Sequence, residues 1–125
     1  MVSRIEEAIQ KNLCSSSLTG KFPENLRSAI EYSVFPGGAR IRPTILISVA
    51  KACGDDMPEI TDAAGSALEM IHCASLVHDD LPCFDNGDTR RGKPTVHKAY
   101  GENTAVLAGD SLIINAFNCL ASVSK

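Results

Sequence analysis

The sequence predicts an all-α protein, and two features support this prediction. Apolar residues recur at every third or fourth position over most of the 125-residue chain, which is the spacing of one helix face, whereas almost no stretch alternates as a half-buried strand does. Glycine and proline separate the apolar stretches at 36–38, Gly54 and Gly101. The length fits one domain.

The first half of the chain predicts three helices, each from an apolar stripe and a boundary signal. Ser3 and Glu6 have the spacing of a capping box at the start of the first helix. A Ser-, Thr- and Gly-rich loop follows at 15–21. Pro23 suits a first helical turn, and Pro43 opens the third helix. The three stripes are Val2, Ile5, Ile9 and Leu13; Leu26, Ile30 and Val34; and Ile45, Leu46, Val49 and Ala50.

The second half predicts a long helix at about 62–81, a loop at 82–94, a short helix at Val96–Tyr100 and a last helix from about residue 103. The last helix is apolar on most sides and should therefore be buried on most sides. The earlier helices are too few to enclose it. We therefore expect residues 1–125 to form one partial domain, either a fragment of a larger helical domain or a chain that needs a partner subunit.

Composition narrows the function classes. The net charge of −3 argues against a nucleic-acid binder. The five cysteines are odd in number and form no C-x-x-C pair, which argues against a disulfide framework or a zinc site and favours a reducing, cytoplasmic compartment. The most apolar window, 105–123, contains Asp110, Asn115 and Asn118, so we expect no integral membrane span.

The stretch "HDDLPCFDNGDTRRGKPT" at 78–95 concentrates charge at the end of an apolar helix. On a helical wheel, Leu68, His72, Ser75 and Asp79 fall within about 40° of one line, with His72 and Asp79 roughly 10 Å apart along the axis. The opposite, apolar side holds Met70, Ile71, Ala74, Val77 and Leu81.

A bend at Pro82 can return Asp85 toward Asp79. Closely placed carboxylates need a cation between them, and Mg²⁺ binds through one or two carboxylates plus substrate phosphates. Arg90 and Arg91 then supply positive charge for diphosphate oxygens. The alternative is a solvated helix end with surface ion pairs. An EF-hand and a P-loop do not fit the spacing.

The acidic stretch resembles the first aspartate-rich motif of the trans-prenyl diphosphate synthases, in its Asp-Asp-x4-Asp form followed by Arg-Arg-Gly-Lys-Pro-Thr. Three more segments resemble this family in order and spacing: "FPGGARIRP" at 35–43, "LEMIHCASLVHDDLP" at 68–82 and "VLAGDSLI" at 106–113. The resemblance covers nearly everything from 35 to 125. It is to the N-terminal part of a bacterial or plant geranylgeranyl-type synthase in the polyprenyl synthetase family.

The resemblance implies an antiparallel helical bundle around a deep cavity and a prenyltransferase that condenses isopentenyl diphosphate with an allylic diphosphate. It implies that Asp79 and Asp85 are the catalytic Mg²⁺ ligands, with Asp80 supporting. It also implies that Arg90 contacts the allylic diphosphate. The residues it implies for isopentenyl diphosphate are Arg42, His72 and Arg91. Homodimers are usual in the family.

The resemblance also bears on product length. The helical turn before Asp79 lies beneath the allylic tail in this family, and Ala74 and Ser75 are small there. The two extra residues in the aspartate motif are typical of geranylgeranyl diphosphate synthases. Both features favour a C20 product over a C15 product.

The chain departs from the family pattern in two ways. Ala39 replaces a lysine, and Arg40 either substitutes for that lysine or is a surface charge. A second aspartate-rich motif does not follow Asp110, so we expect the 125 residues to be inactive alone. A non-catalytic or regulatory subunit of a heteromeric synthase is the alternative interpretation. A terpene cyclase is disfavoured, because cyclases do not need the Arg42/His72 site.

Overall fold

The computed structural model describes residues 1–14 and 22–123. The predicted loop at 15–21 and the last two residues lie outside the described part. Within it, six helices and one two-stranded antiparallel hairpin follow in the order α1 Val2–Cys14, α2 Glu24–Val34, α3 Ile41–Ala52, α4 Pro58–Asp79, β1 Thr89–Arg90, β2 Lys93–Pro94, α5 Val96–Tyr100 and α6 Glu102–Val123.

The all-α prediction is confirmed, and the differences lie at the boundaries. α1 begins at Val2, so the capping box predicted at Ser3 is wrong. α3 begins at Ile41, so Pro43 lies inside its first turn rather than before it. Proline is tolerated there, because the N–H groups of the first turn have no intrahelical partner. α4 begins at Pro58 rather than near 62. The hairpin was not predicted, since its strands are only two residues long.

The core forms where α4 packs against α6, with α1, α2 and α3 around them. α6 approaches α4 closely at Gly109, where an added Cβ would collide with the His78 ring. Of the described cysteines, Cys73 and Cys119 are buried in this core and Cys53 and Cys83 are exposed, all of them free thiols. α4 is therefore the central helix, and only part of its surface remains accessible.

α6 is buried on one face only. Its small residues pack inward, whereas an apolar set is exposed: Val106, Leu107, Ile113, Ile114 and Phe117. The predicted burial on most sides is thus not met within the described residues. By length and composition alone α6 could cross a membrane, with a mean hydropathy of 1.5, but a core helix has the same composition, and α6 packs against α2, α4 and α5.

Candidate functional site

The accessible side of α4 carries the side chains that the helical wheel grouped together. His72 is half-buried, and Ser75 and Asp79 are exposed. Ala74 lies in the core with no exposed surface. The predicted apolar side is buried except for Ile71, which is 40% exposed. Of the two small residues before the aspartates, only Ser75 therefore shares the accessible side with Asp79.

The chain folds back over the carboxyl end of α4. The Asp85 N–H donates to the Asp79 carbonyl at 2.8 Å, and the Gly87 N–H donates to the Asp80 carbonyl at 3.0 Å. The backbone at Asp85 thus lies beside the end of the helix, as a bend near Pro82 predicts, and the side chains of Asp79 and Asp85 are both exposed.

Asp80 has a different environment from the two exposed aspartates. It is 6% exposed, and its two carboxylate oxygens accept hydrogen bonds from Arg90 Nε at 2.8 Å and Nη2 at 2.9 Å. These hydrogen bonds raise the pKa of Arg90. A bidentate pair fixes both the position and the plane of a guanidinium. Asp80 therefore holds Arg90, the strand residue that directly precedes the hairpin turn.

The hairpin turn presents Arg91. Arg91 and Gly92 have φ values of +54° and +78°, as a two-residue type I′ turn requires. A left-handed conformation is unfavourable for a residue with a Cβ, and such strain is often retained at functional sites. The Arg91 guanidinium lies against Gly38, where an added Cβ would be 3.0 Å from Nη2. Gly38 thus makes room for Arg91.

One cleft of about 390 Å³ is lined by Arg42, His72 and Arg91 together with Gly38 and Ala39. We call it the arginine cleft. Arg42 Nη1 lies 3.3 Å from His72 Nε2. Burial, and next the charge of Arg42, lower the pKa of His72, which favours the neutral imidazole. The three residues that the resemblance assigns to isopentenyl diphosphate are therefore brought together. The cleft is also lined by Arg40 and Glu69, which pair with each other, so Arg42 and Arg91 give it a surplus of positive charge.

The structure contradicts the expectation that Arg40 is a surface charge, because Arg40 is 5% exposed. Arg40 lines the arginine cleft, but its charge is already paired with two carboxylates. Its guanidinium donates to Glu6 at 2.7 Å and to Glu69 at 2.7 Å, and also to the Val34 carbonyl. Sequence reasoning missed this cluster, because its members come from three distant segments. The one local signal is Gly37, where an added Cβ would collide with the Arg40 side chain.

The described residues contain no group of three or more histidine, cysteine, aspartate or glutamate side chains placed to hold a metal ion. Asp79 and Asp85 nevertheless fit Mg²⁺, because that ion uses one or two carboxylates and takes its remaining ligands from water and substrate phosphates. The two carboxylates are exposed at adjoining turns of the backbone and are therefore accessible to such a complex.

The structure is thus a helical bundle in which an arginine cleft lies on the same central helix as an aspartate-rich end, and comparisons with known proteins identify its family. The family model for polyprenyl synthetase matches residues 23–125. The chain is 66% identical over 120 residues to the geranylgeranyl diphosphate synthase of Rhodobacter capsulatus, covering 96% of this chain and 41% of that one. It is 67% identical over 99 residues to that of Cereibacter sphaeroides, covering 79% and 34%.

The fold comparison gives the same result. The crystal structure of a geranyltranstransferase from Thermotoga maritima matches with a TM-score of 0.85 and 38% identity, covering 97% of this chain and 43% of that one. The chain belongs to the polyprenyl synthetase family. It spans less than half the length of these relatives.

Proposed function

We propose that the complete protein is a Mg²⁺-dependent prenyltransferase that condenses isopentenyl diphosphate with an allylic diphosphate to give geranylgeranyl diphosphate. The observation that carries this proposal is the convergence of Arg42, His72 and Arg91 in one cleft on the central helix, whose accessible side also bears Asp79. The names of the relatives from Rhodobacter capsulatus and Cereibacter sphaeroides support the C20 product.

The arginine cleft takes the diphosphate of isopentenyl diphosphate. The guanidinium groups of Arg42 and Arg91 match paired phosphate oxygens, and His72 adds a ring nitrogen that is already 3.3 Å from Arg42. Ala39 supplies no charge where the family has lysine. Arg40 is a poor replacement, since its charge is already paired with Glu6 and Glu69. Isopentenyl diphosphate is therefore bound by one cation fewer.

Asp79 and Asp85 are the residues that would hold Mg²⁺, and Arg90, which is near both carboxylates, contacts the allylic diphosphate. Mg²⁺ supplies positive charge to a diphosphate leaving group. Asp80 supports the site through Arg90, because both of its oxygens accept from that guanidinium. The bidentate contact uses the Nε and Nη2 groups of Arg90, which orients the guanidinium for a further oxygen ligand.

The reaction breaks the allylic C–O bond and leaves a carbocation and a diphosphate anion. Arg90 stabilises the developing negative charge. The isopentenyl double bond then attacks the cation to form the new C–C bond, and the departing diphosphate takes the proton. Apolar side chains on the accessible side of α4, such as Leu68, exclude water that would quench the cation.

Product length depends on the accessible side of α4 before Asp79. Ser75 is exposed on that side and small, so it leaves room for the growing prenyl tail. Ala74 is also small but lies in the core, so we assign its effect on product length to the way α4 packs.

The protein acts as a cytoplasmic homodimer in this proposal. The apolar face of α6, at Val106, Leu107, Ile113, Ile114 and Phe117, is compatible with association, because either a partner subunit or the rest of the complete chain would remove it from water. The free thiols of the described cysteines fit a reducing compartment.

Incubation of the complete gene product with labelled isopentenyl diphosphate, farnesyl diphosphate and Mg²⁺ tests the proposal. We expect a C20 diphosphate, and we expect Arg42→Met to raise the KM for isopentenyl diphosphate by about 10-fold or more, as loss of a charged hydrogen bond does. Arg27→Met, which removes an exposed ion pair with Glu24 on α2, is the matched control and should leave the KM for isopentenyl diphosphate unchanged. Absence of any prenyl product would refute the proposal. Undiminished product formation by the complete protein carrying Asp79→Asn would also refute it.

A further inference from the structure

Lys93 follows the two arginines in the hairpin and makes contacts that a surface lysine does not make. Its Nζ donates to the carbonyls of Tyr32 at 3.0 Å and Phe35 at 3.1 Å. The same ammonium lies 4.0 Å from the centroid of the Tyr32 ring. In return, the Tyr32 hydroxyl donates to the Pro94 carbonyl at 2.6 Å. These contacts join β2 to the carboxyl end of α2, and we call them the lysine clamp.

The end of α2 suits an ammonium group. The last carbonyls of a helix lack intrahelical partners, and the helix dipole makes this end negative. Burial, and next the charge of Arg91, lower the pKa of Lys93. The lysine side chain is therefore held against the protein by directed contacts rather than extended into solvent.

The clamp acts on the position of Arg91 through short stretches of chain. Arg91 is separated from Lys93 only by Gly92, and Gly38 follows Phe35 by three residues. Arg91 packs against Gly38 in the arginine cleft. On the other strand, the Asp80–Arg90 pair fixes β1. Both strands that flank the turn at Arg91 are thus held to the helices beside the cleft.

We propose that Lys93 is a positioning residue, which holds Arg91 at the arginine cleft and so contributes to diphosphate binding without touching the diphosphate. This inference rests on the proposed function of the cleft. The lysine of the Arg-Arg-Gly-Lys-Pro-Thr run thus acts only by the contacts of the lysine clamp, and not by a contact with the ligand. We also predict that this role disappears when Arg91 is absent.

The test is a double-mutant cycle read by isothermal titration of inorganic pyrophosphate into the complete protein. EDTA is present, so that Asp79 and Asp85 recruit no anion through a metal. Arg91→Met should weaken binding about 10-fold or more. Lys93→Met should weaken it by about 5-fold in the parent protein and by less than about 2-fold in the Arg91→Met background, since residues that act through one contact are not additive.

Lys98→Met is the matched control, because Lys98 is an exposed lysine on α5 whose ion pair with Asp88 is 3.4 Å long. It should leave pyrophosphate affinity unchanged. If Lys93→Met loses its far-UV circular dichroism, Lys93→Gln, whose amide keeps a donor for one of the carbonyls, takes its place in the cycle. Equal weakening by the Lys93 variant with and without Arg91 would overturn the inference alone. Failure of the parent protein to bind pyrophosphate would overturn both this inference and the assignment of the cleft.

Discussion

Arg40→Met should be among the most destabilising single substitutions in the described part of the chain. The Arg40 side chain is 3% exposed and the Glu69 side chain is 2% exposed, with 2.7 Å between Nη1 and the carboxylate. Glu6, the second partner, is 38% exposed. Methionine fills similar apolar volume, so the substitution removes the charge and its hydrogen bonds with little change in packing.

The magnitude follows from the two partners. Removing one member of a buried ion pair leaves an uncompensated charge and costs about 3–5 kcal/mol. The contact with the partly exposed Glu6 adds no more than about 1 kcal/mol, because solvent screens it. The Val34 carbonyl also loses its donor, which costs about 1 kcal/mol or more when the group is buried. We therefore expect Arg40→Met to lower the free energy of unfolding by about 4 kcal/mol or more.

Urea unfolding of the complete protein, followed by circular dichroism, measures this loss. Arg27→Met removes the exposed pair with Glu24, with side-chain exposures of 43% and 80%, and should cost less than about 1 kcal/mol. Adding Glu69→Leu to Arg40→Met should recover part of the loss, since no buried charge remains. The reasoning fails if Arg40→Met and Arg27→Met cost the same.

Three further outcomes are expected. Arg91→Asn should leave the free energy of unfolding unchanged or raise it by up to about 1 kcal/mol, because asparagine tolerates positive φ. The same substitution should lower the affinity for pyrophosphate. A stability loss equal to the binding loss would contradict this. Burial and then Arg42 lower the pKa of His72 below 6.5, so the folded state binds fewer protons than the unfolded chain and unfolding becomes easier as pH drops below that value. Comparing urea midpoints at pH 7.5 and 5.5 should show a smaller drop for His72→Gln than for the parent. Ser75→Phe should shift the product from C20 toward C15 in a chromatographic assay. Ala74→Phe should chiefly destabilise the protein by overpacking the core, at about 1–3 kcal/mol. An unchanged product for Ser75→Phe would show that Ser75 does not line the space for the prenyl tail.

Local pattern was sufficient for much of the fold. Helix spacing predicted all six described helices, and α5 was predicted with its observed bounds, Val96–Tyr100, because Gly101 ends it. The same spacing placed His72 and Asp79 on one accessible side of α4. Boundaries were less accurate, since a proline is allowed anywhere in the first turn and the sequence does not say which position it takes.

The remaining features depend on contacts between distant segments. Arg40 is buried only because Glu6 and Glu69, 34 and 29 residues away, meet it. The hairpin that carries Arg91 has strands too short to produce an alternating pattern. The residues of the arginine cleft were assigned from the family resemblance rather than from periodicity, since no local pattern indicates that Arg42 and His72 come within 3.3 Å of each other.

The most direct test of this account is a crystal structure of the complete protein with Mg²⁺, isopentenyl diphosphate and an unreactive allylic diphosphate analogue. We predict oxygens of Asp79 and Asp85 at about 2.0–2.1 Å from Mg²⁺, with the isopentenyl diphosphate in the cleft formed by Arg42, His72 and Arg91. Carboxylates of Asp79 and Asp85 that face apart, or an isopentenyl diphosphate bound away from that cleft, would contradict it.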